Sequence, residues 1–118
     1  MKESILRDKS YQFALRVVRL SRYLVKTESE FVLSKQVLRS GTSIGANIEE
    51  ANHAQSKSDF IHKLSIAQKE AFETHYWIRL LRDSAYLKSD WAESLLSDCE
   101  EVQKLVTASI KTAKANRD

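Results

Sequence analysis

The chain contains no proline, and its only two glycines, Gly41 and Gly45, lie four residues apart within the stretch Gln36–Ala54. Proline and glycine are the residues that most often break regular structure, so a chain this poor in them has few places to turn. Long helices joined by short links are the consequence. Where the two glycines fall, a neighbouring backbone can come close, or the helix can kink. Each costs about 1 kcal/mol of helix propensity. The same stretch carries a second pattern. Arg39, Ser43, Asn47 and Glu50 fall on one narrow stripe at helical spacing, with Gln36 beside them. Leu33, Val37, Ile44, Ile48 and Ala51 share a neighbouring apolar face. Such a helix is built to pack closely against others.

The 118 residues fit a single domain, 1–118, large enough for a core without staples. The lone Cys99 has no partner for an internal disulfide, which makes a reducing cytoplasm the default location. No charged-then-apolar leader opens the chain, and no apolar run approaches the about 18 residues that span a bilayer. The expectation is a soluble protein with no membrane contact. The net charge of +3 is unevenly spread. Residues 1–40 hold nine Lys/Arg against four Asp/Glu, whereas residues 86–118 hold five against six. A locally basic face of this kind suits phosphate, and equally suits a solvated helix surface.

Four helices are expected, over about 10–26, 30–53, 57–83 and 90–114. In the first, Phe13, Val17, Leu20 and Leu24 make a bundle seam. Opposite them Lys9, Gln12, Arg16, Arg19, Arg22 and Lys26 occupy about one third of the circumference. Leu15 and Tyr23 break into that surface, and Tyr23 could stack on a base or sit in a subunit contact. Thr27 with Glu30 reads as a capping box ahead of the second helix. The second seam is Leu33, Val37, Ser40, Ile44, Asn47, Ala51 and Ala54, where Asn47 needs a hydrogen-bonding partner. Ser56 caps the third helix, whose seam of Phe60, Leu64, Ala67, Ala71, Thr74, Ile78 and Leu81 is unbroken. Ile61, Phe72 and Tyr76 add a second apolar line there, and Ile66 with Trp77 a third. Surplus apolar faces on one helix predict an oligomer interface. Asp90 and Glu93 form another capping box, and Leu95, Cys99, Val102, Val106, Ser109 and Ala113 form the last seam, with Trp91 a turn earlier. Short links favour antiparallel neighbours, hence an all-α, up-down-up-down four-helix bundle.

Signs of chemistry are sparse. A di-iron bundle needs two Glu-x-x-His pairs, and only Glu50 with His53 qualifies. His62 and His75 lack matching glutamates, so no metal or other cofactor is expected. Cys99 lies on an apolar seam, which suits a core residue. No serine elbow or phosphate loop occurs. A ribonuclease of the HEPN type carries an arginine, four to six residues and a histidine, and none of the three histidines has that arginine. Glu70 and Glu73 are neighbours on a helix and could in principle act as acid and base. The expectation is no enzyme and no small-molecule substrate. The ladder Arg16, Arg19, Arg22 and Lys26, extended by Lys35 and Arg39, can instead neutralise phosphates without reading sequence.

The run Leu38-Arg39-Ser40-Gly41-Thr42-Ser43-Ile44-Gly45-Ala46-Asn47-Ile48-Glu49-Glu50 resembles the core motif of the four-helix-bundle proteins encoded in 23S ribosomal RNA intervening sequences. Phe31-Val32-Leu33-Ser34-Lys35-Gln36 fits as well, as does Phe60–Leu81 with Lys69-Glu70-Ala71 and Tyr76-Trp77. The resemblance covers about Tyr11 to Leu81, and the last helix matches in pattern alone. Where that family commonly has glycine after the glutamate pair, this chain has Ala51. The family is also similar to the accessory protein of diversity-generating retroelements, which works beside a reverse transcriptase. The resemblance implies an antiparallel bundle assembled as a ring, a homopentamer, with a basic surface. It also implies binding of nucleic acid or of a protein partner in place of catalysis. Arg39, Ser43, Asn47 and Glu50 match the motif's polar positions.

Two functional readings follow. One is a homo-oligomeric scaffold that binds structured RNA, or an RNA–protein complex, through the basic helix surface. The other is an interaction module for a partner such as a reverse transcriptase, without direct nucleic-acid contact. Arg39, Ser43, Asn47 and Glu50 are expected to form a hydrogen-bonded network within or between subunits. The subunit interface is expected to use Ile61, Ile66, Phe72, Tyr76 and Trp77.

Overall fold

The computed structural model describes residues 2–116, with side chains from residue 5 onward. Four α-helices run through it, α1 (Lys2–Glu28), α2 (Leu33–Asn52), α3 (Lys57–Asp83) and α4 (Ser89–Ala115). No strand occurs among the described residues. A helix of 27 residues, the length of α1, α3 and α4, is about 40 Å long at 1.5 Å per residue. Laid side by side, such helices give the elongated body of 50 × 22 × 19 Å. Ion pairs join starts to ends. Arg7 in α1 meets Glu49 late in α2 at 2.7 Å, and Lys63 early in α3 meets Glu50 at 2.8 Å. Arg82 at the end of α3 meets Glu93 early in α4 at 2.8 Å. α4 then packs against α1, where Arg16 meets Asp98 at 2.7 Å.

The seams expected for α1, α3 and α4 are in the core. Phe13, Val17, Leu20 and Leu24 are buried, with Leu64, Ala67, Ala71, Thr74, Ile78 and Leu81 opposite them. Leu95, Cys99, Val102, Val106, Ser109 and Ala113 close the interior. Phe60 is only partly buried. α1 begins earlier than the pattern from Ser10 suggests, because Leu6 and Ser10 continue its buried face toward the N-terminus. In α2 the seam differs. Ser34, Val37, Ser40, Gly41, Ile44, Ile48 and Ala51 are buried, and Asn47 stands at the edge. Ile44 is thus followed inward by Ile48, four residues on, because an aliphatic side chain loses nothing by leaving water and an amide does.

The helix starts correct two expected caps. Thr27 lies inside α1. That helix ends at Glu28, and Ser29 follows at φ 52°, with the Glu30 N–H donating to Leu24 O at 2.9 Å. The bond reaches six residues back, one more than in a Schellman closure, and serine holds the positive-φ position where glycine is usual. The Glu30 carboxylate then folds forward and accepts from the N–H groups of Val32, Leu33 and Ser34 at 3.3, 3.0 and 2.7 Å. It caps α2 alone, satisfying donors that the helix cannot. Asp90 lies within α4 and accepts from the Trp91 N–H at 2.8 Å, while Glu93 is drawn to Arg82. Ser56 behaves as expected, its hydroxyl accepting from the Asp59 N–H at 3.0 Å.

The α1/α2 contact is lined by small residues. Neither glycine has positive φ, so conformational freedom explains neither, and space explains Gly41 alone. A β-carbon at Gly41 would fall 2.7 Å from Val17 Cγ1. At Gly45 it would meet only ordinary contacts, the closest 3.6 Å away at Ser10. α2 runs unbroken through both.

Candidate nucleic-acid interface

α1 shows three faces, set by its 100° step. One is the core seam. A second turns toward α4, and Arg16 lies there, half-buried, donating to Asp98 Oδ2 at 2.7 Å and to Ser94 O at 3.3 Å. Lys9 reaches Glu101 on the same side at 3.4 Å. Tyr23 joins them, its ring edge-on to Trp91 at 5.0 Å and its hydroxyl donating to Glu28 at 2.9 Å. That hydrogen bond to a carboxylate raises the Tyr23 pKa above its ordinary value. The basic N-terminal part and the acidic α4 therefore partly neutralise each other across one seam. Arg16, expected on an open ligand face, and Tyr23, expected to stack on a base or sit in a subunit contact, are instead engaged within the subunit.

The third face points to solvent and holds Arg19, Arg22 and Lys26, all exposed. Lys35, exposed in the first turn of α2, lies beside the end of α1 that carries Lys26. Among the described residues no carboxylate pairs with any of these four. Arg39 differs. Its guanidinium donates to Gln36 Oε1 at 3.3 Å and sits 3.5 Å from Glu73 of α3. Of six expected phosphate ligands, four keep their charge free of a carboxylate among the described residues.

The polar stripe of α2 is not a side-chain network within one subunit. The Ser43 hydroxyl donates to the Arg39 carbonyl at 2.7 Å, and the Asn47 amide to the Ser43 carbonyl at 2.8 Å. Both bonds are one turn back along their own helix. Arg39 and Glu50 instead reach α3, to Glu73 and Lys63. The buried polar link between α2 and α3 is another pair, the hydroxyls of Ser40 and Thr74, hydrogen-bonded to each other at 2.9 Å while Thr74 donates its own proton to the Glu70 carbonyl at 2.8 Å. Of the remaining acidic candidates, Glu73 accepts from Trp77 Nε1 at 3.1 Å, and Glu70 Oε1 is buried without a partner.

The five residues expected at a subunit interface divide. Ile61 is 7% exposed and belongs to the core, on the side of α3 where Gln68, two turns further on, donates to Thr107 of α4. Ile66 is half-buried, and Trp77 packs on the core edge. Phe72 and Tyr76 remain outside, 58% and 49% exposed. Phe72 lines an open groove of about 520 Å³ with Glu100, Gln103, Lys104, Thr107, Ala108 and Lys111. A second groove of about 410 Å³ runs between α1 and α2, lined by Tyr11, Ala14, Thr42, Gly45 and Ala46 beside the Arg7–Glu49 pair.

Three other features bear on chemistry. Among the described residues no three of His, Cys, Asp and Glu gather as metal ligands. No described helix is long and apolar enough to cross a membrane. Cys99 is buried, its thiol donating to the Ala71 carbonyl at 3.4 Å, and burial pushes its pKa up to about 12. His75 sits between Arg79, which donates to its Nδ1 at 3.0 Å, and Glu100, 2.8 Å from Nε2.

Comparison with known proteins adds the following. No curated protein matches the chain. A crystal structure of a protein of unknown function from the S23 ribosomal protein family of Bacteroides thetaiotaomicron is 53% identical. It superposes with a TM-score of 0.93, over 94% of this chain and 99% of that one. The model of the 23S rRNA-intervening sequence protein family matches residues 2–108. With the all-α, four-helix structure beneath it, that match makes the chain a member of the 23S rRNA-intervening sequence protein family.

Proposed function

We propose that the protein is a cytoplasmic, non-enzymatic scaffold that binds structured RNA through the outer face of α1. In this reading the helices follow an antiparallel up-down-up-down order, which the start-to-end ion pairs support, and copies of the bundle close into a ring. One observation carries the RNA contact. Arg19, Arg22, Lys26 and Lys35 remain exposed without a carboxylate partner among the described residues. Cations left open in this way attract phosphate and release its counterions. Phe72 and Tyr76 on α3, and the Gly45 groove on α1/α2, support the assembly. They lie on different faces, so contact between them is head-to-tail, the kind that generates rings. A ring would repeat the basic face and add its fields.

The test measures binding of a folded RNA at low and moderate salt, with light scattering for the mass. The wild type should bind with steep salt dependence. Arg19, Arg22 and Lys26 changed together to glutamate should remove binding and leave helicity intact. A wild type that does not retard RNA at low salt sinks the reading. The apolar groove beside Phe72 favours the second reading, a module that docks a protein such as a reverse transcriptase. A pull-down unaffected by nuclease would favour it.

A further inference from the structure

The link between α1 and α2 places apolar side chains in water among the free cations. Phe31 is 56% exposed, Val32 68% and Val25 39%. A residue just before a helix usually packs back onto its first turn as a hydrophobic staple. Phe31 holds that position, but the fourth residue of α2 is Gln36, which offers it no apolar partner. The link is nonetheless stiff. Ser29 closes α1, the Glu30 N–H is held by Leu24, and the Glu30 carboxylate holds three N–H groups of α2. Phe31 is thus presented by a fixed backbone. Arg22 and Lys26 lie within about 9 Å of the end of α1 along its axis, and Lys35 within about 3 Å of the start of α2. The nearby acids are engaged. Glu28 accepts the Tyr23 hydroxyl, Glu30 caps α2, and Arg82, at the same end of the bundle, pairs with Asp83 and Glu93.

We propose that this hairpin end is a single-strand RNA site, in which Phe31 stacks on an unpaired base while Arg22, Lys26 and Lys35 hold the flanking phosphates. It rests on the RNA reading above and adds the unpaired strand as the ligand class. An aromatic face interleaved with cations matches the alternation of base and phosphate in a single strand. A duplex hides its base faces and offers Phe31 nothing, so only the cations should contribute there.

The experiment titrates the full chain against a labelled oligouridine and a duplex RNA of equal length. Vesicles of phosphatidylcholine with phosphatidylglycerol form the third arm. Phe31→Ala should weaken the single strand about fivefold or more and leave duplex binding unchanged. Phe31→Trp should keep or tighten it. Because Phe31 is exposed, circular dichroism should report the same fold for all three proteins. RNA binding that persists while Phe31→Ala changes neither strand overturns this site and leaves the broader reading standing. Loss of all RNA binding by the wild type removes both. Vesicle binding that depends on Phe31, without a preference for single strands, overturns the proposal in favour of a membrane contact.

Discussion

Gly41 of α2 lies directly against the side chain of Val17 in α1. A β-carbon there would fall 2.7 and 2.8 Å from the two Val17 methyls and 3.1 Å from its Cβ. Valine is short and branched, so its methyls cannot swing away without moving the α1 backbone. Gly41→Ala should destabilise the protein by about 1–3 kcal/mol in urea unfolding. Gly45→Ala meets only ordinary contacts, so it should stabilise the isolated subunit by about 0.5–1 kcal/mol. If a second copy enters the Gly45 groove, light scattering should find the same variant less assembled. An equal loss of stability at both positions would contradict the packing described.

Arg16 and Arg19 are neighbours on α1 with opposite expected behaviour. Arg16→Gln removes a surface ion pair with Asp98, and should cost less than about 1 kcal/mol of stability. RNA affinity should be almost unchanged. Arg19→Gln should leave stability unchanged and flatten the salt dependence of RNA binding by about one phosphate contact. Equal effects of the two on the salt slope would show that the Asp98 pairing does not withdraw Arg16 from the open face.

The Thr74–Ser40 hydrogen bond joins α2 to α3 where both residues are fully buried. Thr74→Val keeps the shape but takes away this partner of Ser40, and should cost about 1–3 kcal/mol. Adding Ser40→Ala should recover part of that loss, since neither side then keeps a buried group to satisfy. A double-mutant cycle in urea measures the coupling. Strict additivity would remove the bond from the account of stability.

Cys99 keeps its proton to about pH 12 in the folded chain, against an ordinary value of 9.0. Between those values the unfolded chain releases the proton and the folded chain holds it. Stability should therefore fall as pH rises from 9 toward 12, by at most about 1.4 kcal/mol per pH unit from this group. Comparison with Cys99→Ala isolates it from other groups that titrate there. Below pH 9 the two proteins should show the same slope. Native Cys99 should also react with a thiol reagent only slowly at pH 8, and quickly in denaturant. Rapid reaction in the native state would contradict the burial.

The helices themselves were legible from local pattern. Side chains three and four residues apart share a face, so Phe13–Leu24, Leu64–Leu81 and Leu95–Ala113 could be assigned to a core without knowing what they touch. The four-helix count and the Ser56 cap follow from equally local chemistry. Period alone could not choose between Asn47 and Ile48, which stand one step apart. The choice was made by α1 and α3, which leave room inside for an aliphatic group and let the amide bond its own helix. Nor could it show that Ile61 is buried in the core, or that Gly41 makes room for Val17. The site divides the same way. The row of cations along α1 is a property of spacing. Which of them stay open is not, because Asp98 lies 82 residues from Arg16, and Glu73 lies on a different helix from Arg39. Charge on a helix face is written in one segment of chain. Its neutralisation depends on which other segment folding lays alongside.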